Sequence, residues 1–332
     1  MWTYRRRSIH RRTLTMFGVV AAVLALVAAT AARPALADDA AVPRPVGSSR
    51  PGRVITNLVV TGELPGTSEL GMRAPEAVAL DHRGNVVIAD TGNHRVLVVG
   101  PDGTLVDEFG GYGWDEDRLD TPGDICVYRG FYTYVLDEGN RRVTRYDVDG
   151  DYVDLVVAEG EAGSPVSIAV GPSGGLLLVD TDTQSVLSYS QFDEKLAPFG
   201  RFGLDAGGLL APSDVAVGPS REVAVADPRR FSVEVFDEFG APLYSISSPD
   251  TLEPEDIAFD ARGNVLVIDG RRNRLLAFPA GGGPHTASLA GAGDFRFTAV
   301  APGAAGELVV LDGGAGRVQL IEMVYGADAR LR

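Results

Sequence analysis

The stretch VVIADTGNHRV, residues 86–96, places Asp90, Asn93, His94 and Arg95 directly behind an apolar run. A carboxylate, an imidazole and a guanidinium within six residues are the groups of acid–base chemistry. Three more carboxylates, Asp124, Asp214 and Asp256, each stand two residues after a proline, at the entry to a short apolar run. Three such oxygen donors converging on one point could hold a hard cation such as Ca²⁺, the Lewis acid of a metal-dependent hydrolase or lyase. A third set lies in GGYGWDEDRLDTP, residues 110–122, where Tyr112 and Trp114 adjoin Asp115 and Asp117. Exposed aromatic rings among acids suit a basic or sugar ligand.

What positions these residues is a repeat. Asp90 recurs behind a similar apolar run as Asp137, Asp180, Asp227, Asp269 and Asp312. Fifteen residues before each stands Pro75, Pro122, Pro165, Pro212 or Pro254, with Phe297 in the last unit. Thirteen residues after the Asp come Gly103, Gly150, Gly240 and Gly282, with Asp193 in the third unit. Each unit predicts four short strands, A to D. Strand A follows the proline, B ends at the Asp, C follows the turn, and D follows an Asp-Gly type of hairpin. Four-stranded units of this length are propeller blades. The sixth unit stops after strand C, and RVITNLVVTG, residues 53–62, supplies its fourth strand from the other end of the chain, hiding two sheet edges. The expected fold is an all-β, six-bladed β-propeller over residues 53–325.

The phrase ADTGNHRVLVV, residues 89–99, behind a P-x-x-[IV]-A-V run resembles the NHL-repeat family over residues 53–325. Unit 1 is the nearest match; units 3 and 4 keep the Asp but lose the Asn and Arg. The Arg five residues after the Asp recurs as Arg95, Arg142, Arg274 and Arg317. A pair present in most blades serves what every blade needs, so Asp and Arg are expected to hold the B–C turn as scaffold. The resemblance implies an extracellular binding or scaffold module. A cation at the channel mouth is how six-bladed gluconolactonase-type and paraoxonase-type hydrolases work, but their motifs do not match this chain. Some NHL-like propellers are peptidylamidoglycolate lyases, which need several histidines on one zinc. By register His82, His94 and His285 fall on different parts of the blades and cannot meet.

Alternating strand direction puts the D–A and B–C loops on one face, and that face carries the long, varied loops expected to bind. The A–B and C–D connections on the other face read as plain turns. DVDGDYVD, residues 147–154, fails as an EF-hand because its Gly is at the fourth loop position rather than the sixth and Ala158 stands at the twelfth. It is the C–D turn of the second unit. No nucleophile elbow or phosphate loop is present.

The N-terminus reads as an export signal. Residues 1–37 hold six Arg and no acid, an apolar run, and the small-x-small site ALA before Asp38. Cleavage near Ala37 leads to a secreted, periplasmic or envelope protein, with membrane attachment only if the segment stays uncleaved. A Pro/Gly/Ser-rich leader at 38–52 and a tail at 326–332 flank the propeller. Beyond residue 37 the chain carries 24 basic against 45 acidic residues, with Lys195 the only lysine. That charge disfavours nucleic acid and points to a protein, peptide or carbohydrate ligand. Cys126 is the single cysteine, so no internal disulfide forms. The expected state is a monomer.

Overall fold

In the computed structural model residues 53–326 are described, Pro249 excepted. The expected signal peptide, the leader and all of the tail but Gly326 lie outside the described residues. The chain opens with β1 (Ile55–Glu63). Blade 1 follows as β2 (Ala77–Leu80), β3 (Val86–Asp90), β4 (Arg95–Val99) and β5 (Leu105–Gly110). Blade 2 is β6 (Pro122–Tyr128), β7 (Tyr132–Asp137), β8 (Arg142–Asp147) and β9 (Tyr152–Val157). Blade 3 is β10 (Pro165–Val170), β11 (Leu176–Asp180) and β12 (Ser185–Tyr189). A small parallel pair, β13 (Arg201–Phe202) and β14 (Gly208–Leu209), precedes blade 4. Blade 4 is β15 (Asp214–Val217), β16 (Val223–Asp227), β17 (Ser232–Phe236) and β18 (Pro242–Ser247). Blade 5 is β19 (Pro254–Phe259), β20 (Val265–Asp269), β21 (Arg274–Phe278) and β22 (Ala287–Ala290). Blade 6 is β23 (Ala299–Pro302), β24 (Glu307–Asp312) and β25 (Arg317–Tyr325), completed by β1.

The B strands show why the sequence reads as unbroken apolar runs. Every residue of β3, β11, β16 and β20 is buried. In β3, Val86 and Ile88 pack with Ala301, Val309 and Leu311 of blade 6. Val87 and Ala89, pointing the opposite way, pack with Ile125 and Val135 of blade 2. A blade is covered on both faces, so the usual in–out alternation disappears.

Ring closure is as expected: β1 pairs antiparallel with β25 from Ile55↔Tyr325 to Glu63↔Gln319. The hairpin landmark also holds, with Gly103, Gly150, Gly240 and Gly282 at φ of 85°, 74°, 82° and 86°. Asp193 takes the same left-handed conformation at 61°. One expectation is corrected. Blade 3 has three regular strands, and its fourth position is an irregular segment joined by the isolated bridges Val186↔Phe199 and Tyr189↔Lys195 and by the Leu196 N–H donating to the Ser188 carbonyl. Pro198 within that segment has no N–H to give a ladder.

Candidate functional site

Each repeated Asp is buried at the end of strand B. In blade 2 one oxygen of Asp137 accepts the Asp120 N–H at 2.7 Å, and the other accepts Asn140 Nδ2 at 2.7 Å and Arg142 Nε at 2.8 Å. Asn140 and Arg142 then reach outward. Asn140 Nδ2 donates to the Gly113 carbonyl, and the Arg142 guanidinium donates to the carbonyls of Trp114, Asp115 and Arg118. Blade 1 repeats the device: Arg73 N donates to Asp90, Asn93 to the Gly71 carbonyl, and Arg95 to both Asp90 and the Leu70 carbonyl. The trio therefore holds the B–C turn and also fastens the D–A loop that enters its own blade. Where the Arg is lost the Asp still binds that loop. Asp180 accepts Ser164 N and Thr183 Oγ1, and in blade 4 Arg230 supplies the link to the Gly203 carbonyl. The turn residue before the Arg position is left-handed in all six blades: His94, Arg141, Gln184, Phe231, Asn273 and Gly316. Only His94, Asn273 and Gly316 are residue types enriched in that conformation.

His94 is not poised between an acid and a base. Its Nδ1 accepts the Thr121 N–H at 3.0 Å, near Asp120 at 3.3 Å, so the ring braces the next loop. The other side of that loop carries the expected aromatic pair. Trp114 is 71% exposed and Tyr112 59%, with ring centres 5.6 Å apart, and Tyr112 meets the His94 ring at 4.9 Å. Asp115 and Asp117 are exposed beside them.

Asp124, Asp214 and Asp256 line the central channel on the innermost strands, and the structure uses them between blades. Asp124 Oδ2 accepts Ile168 N of blade 3 at 2.7 Å, and Asp214 Oδ2 accepts Ile257 N of blade 5 at 2.7 Å. Asp256 accepts Val300 N of blade 6. In blade 3 the same position is Ser167, whose Oγ accepts Val215 N at 3.2 Å and donates to Asp214 at 2.6 Å. Ala77 and Ala299 complete the ring without an acceptor. Among the described residues no three His, Cys, Asp or Glu side chains form a group able to hold a metal ion. Burial, and then the Asp214 charge, push Asp124 up to about 8. Burial raises Asp214, and burial with the charges of Asp214 and Asp124 raises Asp256 well above the carboxylate range.

Sequence reasoning passed over two features. Glu138, beside the repeat Asp of blade 2, is pushed up to about 7 by burial and then by the charge of Glu76. At the opposite end of the channel Leu80, Val127, Val170, Val217, Phe259 and Pro302, one from each blade, line a shallow cavity of about 490 Å³. The turns there are short, as expected, but the apolar ring forms only when six strand ends meet. The DVDGD segment is the expected C–D turn, with Asp147 accepting the N–H groups of Asp149 and Asp151.

The profile of the NHL repeat matches residues 72–99. The chain is 25% identical over 205 residues to the human E3 ubiquitin-protein ligase NHLRC1, covering 56% of this chain and 50% of that protein. It thus spans about half the length of that relative. It is 30% identical over 132 residues to mouse NHL-repeat-containing protein 4, covering 39% of this chain and 91% of that one. A streptogramin B lyase structure matches with a TM-score of 0.58 and 12% identity, over 82% of this chain and 89% of that chain. At that identity the likeness concerns the fold.

Proposed function

The chain belongs to the NHL-repeat family, and from that premise we propose that it is an exported, non-enzymatic binding and scaffold module. It engages a protein partner outside the cytoplasm through the face built by its D–A and B–C loops. One observation carries this reading: two large aromatic side chains, Trp114 and Tyr112, stay exposed on a loop whose carbonyls are tied down by Asn140 and Arg142. Large rings held in the bound conformation before binding lose little entropy on contact. The name of the human relative, a ubiquitin-protein ligase, is consistent with a family whose members act on other proteins. The hydrolase or lyase reading loses its footing because the channel carboxylates accept N–H groups of neighbouring blades.

The test is affinity capture from the envelope fraction of the source cell, comparing the wild-type chain with a Tyr112→Ala/Trp114→Ala variant. Partners retained by the wild type are expected to fall at least tenfold with the variant, at unchanged melting temperature. Equal retention would remove the loop face from consideration. The mass of the chain recovered from that fraction reports export, and a start at Asp38 is expected.

A further inference from the structure

The loop that presents Trp114 has a twin. YGWDEDRLDTP, residues 112–122, enters blade 2, and FGLDAGGLLAP, residues 202–212, enters blade 4 in the same register to its proline. The two are built alike. The Gly113 N–H donates to the Leu119 carbonyl at 3.2 Å, and the Gly203 N–H donates to the Leu209 carbonyl at 3.1 Å. The Arg118 N–H donates to the Asp115 carbonyl at 3.1 Å, and the Gly208 N–H to that of Asp205 at 2.9 Å. Leu119 and Leu209 are buried, each packed over a left-handed glycine, Gly110 or Gly200. The next amide, of Asp120 or Leu210, is held by the repeat carboxylate, Asp137 or Asp227. Asn140 grips the Gly113 carbonyl, and Arg230 grips that of Gly203. What the two loops hold outward is matched as well: Phe202 is 65% and Leu204 77% exposed, at the places of Tyr112 and Trp114.

Elsewhere on this face the D–A loops tuck such groups away. In those of blades 1, 5 and 6, Leu64, Leu252, Phe295 and Phe297 turn inward and are buried. Large apolar side chains that a fastened loop keeps in water mark a contact surface. Blade 3 stands between the twin loops, and its own connections there are short, residues 158–164 and 181–184. They carry Glu159, Glu161 and Asp182, all exposed, and the tips add Asp115, Glu116, Asp117 and Asp205. Four cations offset part of this charge. Arg118, Arg141 and Arg201 lie against Asp117, Glu159 and Asp205, and Lys195 donates to the Glu161 carbonyl. The ground between the tips stays acidic.

We propose that the twin loops grip one protein segment at two points, an apolar side chain on each tip, while lysine or arginine of that segment crosses the acidic ground of blade 3. The proposal rests on the protein-binding reading above. It adds Phe202 and Leu204 to that surface and states the partner's chemistry. Two linked contacts strengthen one another, because the second forms within a molecule already bound. The acidic excess of the whole chain steers a basic segment toward the face. An anionic lipid surface fits less well, since acids stand beside both apolar tips.

The full-length chain is titrated, with anisotropy as the readout, into dye-labelled peptides that carry Phe-Leu at both ends of a Lys/Gly/Ser spacer. The spacer is graded from about 4 to about 16 residues, a reach of roughly 14 to 55 Å. At least one spacer length is expected to bind roughly tenfold or more tightly than the same peptide with Phe-Leu at one end only. Phe202→Ala/Leu204→Ala and Tyr112→Ala/Trp114→Ala are each expected to remove that advantage at unchanged melting temperature. Glutamate in place of the spacer lysines is expected to weaken binding by roughly tenfold or more. Two-ended peptides that bind no better than one-ended ones overturn the proposal, as does a Phe202/Leu204 variant equal to the wild type or indifference to the spacer's charge. Sedimentation of the chain with phosphatidylglycerol vesicles, lost in both variants, would assign the tips to a membrane instead. If the peptides fail while the Tyr112/Trp114 variant still loses its captured partners, the loop-face module stands and the two-point grip is wrong. If that variant also keeps them, both readings fall.

Discussion

A single buried Asp decides how the loop face is built. Asp137 joins three pieces of chain, because Asn140 and Arg142 use it as an anchor while their remaining donors grip residues 113–118. The repeated Asp–Arg pair was legible as scaffold from its recurrence. Its second grip, on a loop more than twenty residues upstream, was not, because no local pattern says which carbonyls a guanidinium will meet. Arg142→Ala should cost about 3 kcal/mol, since it leaves a buried carboxylate short of its cation. It should also speed amide exchange across residues 113–118. Arg142→Lys should restore neither effect fully, because one ammonium cannot span the separate carbonyls that the planar fork reaches. Denaturant melts and exchange at single-residue resolution check both, and unchanged exchange in the Ala variant would contradict the clamp.

At the scale of strands, a blade is stable only when both its faces and its edges are covered. The B strands are apolar throughout because each has a blade on either side, as the split of β3 between blades 6 and 2 shows. This was readable as unbroken apolar runs at a fixed spacing. The loss of regularity in blade 3 was not read, although Pro198 was its visible cause. Closure by β1 has the sharpest consequence. Without residues up to Glu63, β25 keeps only β24 as partner and exposes a nine-residue edge. Exposed edges of that kind recruit other chains. The truncated chain is expected to melt well below the full chain and to elute as higher oligomers in size-exclusion chromatography. A monomer of equal melting temperature would show that β1 is dispensable.

Across the whole molecule, the channel residues form an inter-blade belt that runs through blades 2 to 6 and is interrupted at Ala77 and Ala299. Because burial and mutual repulsion raise the carboxylates of this belt, the folded chain holds protons there that the unfolded chain has released. Stability from these groups is therefore complete below the ordinary carboxylate range and is lost as pH rises toward about 8, the value for Asp124. Asp256→Asn keeps an acceptor oxygen for Val300 and removes one of the charges. Its melting temperature should match the wild type near pH 5 and exceed it near pH 8, and parallel curves would refute the coupling. The sequence by itself determined the repeat, the six blades, their strand-exchange closure and the scaffold role of the recurring Asp and Arg. Each of these follows from short patterns repeated six times: apolar runs, hairpin glycines and a fixed interval between landmarks. The tertiary structure alone showed that the three channel carboxylates accept N–H groups of neighbouring blades. Those arrangements join segments about forty residues apart, and they depend on the angle and height at which one blade stacks on the next, which no local pattern of residues encodes.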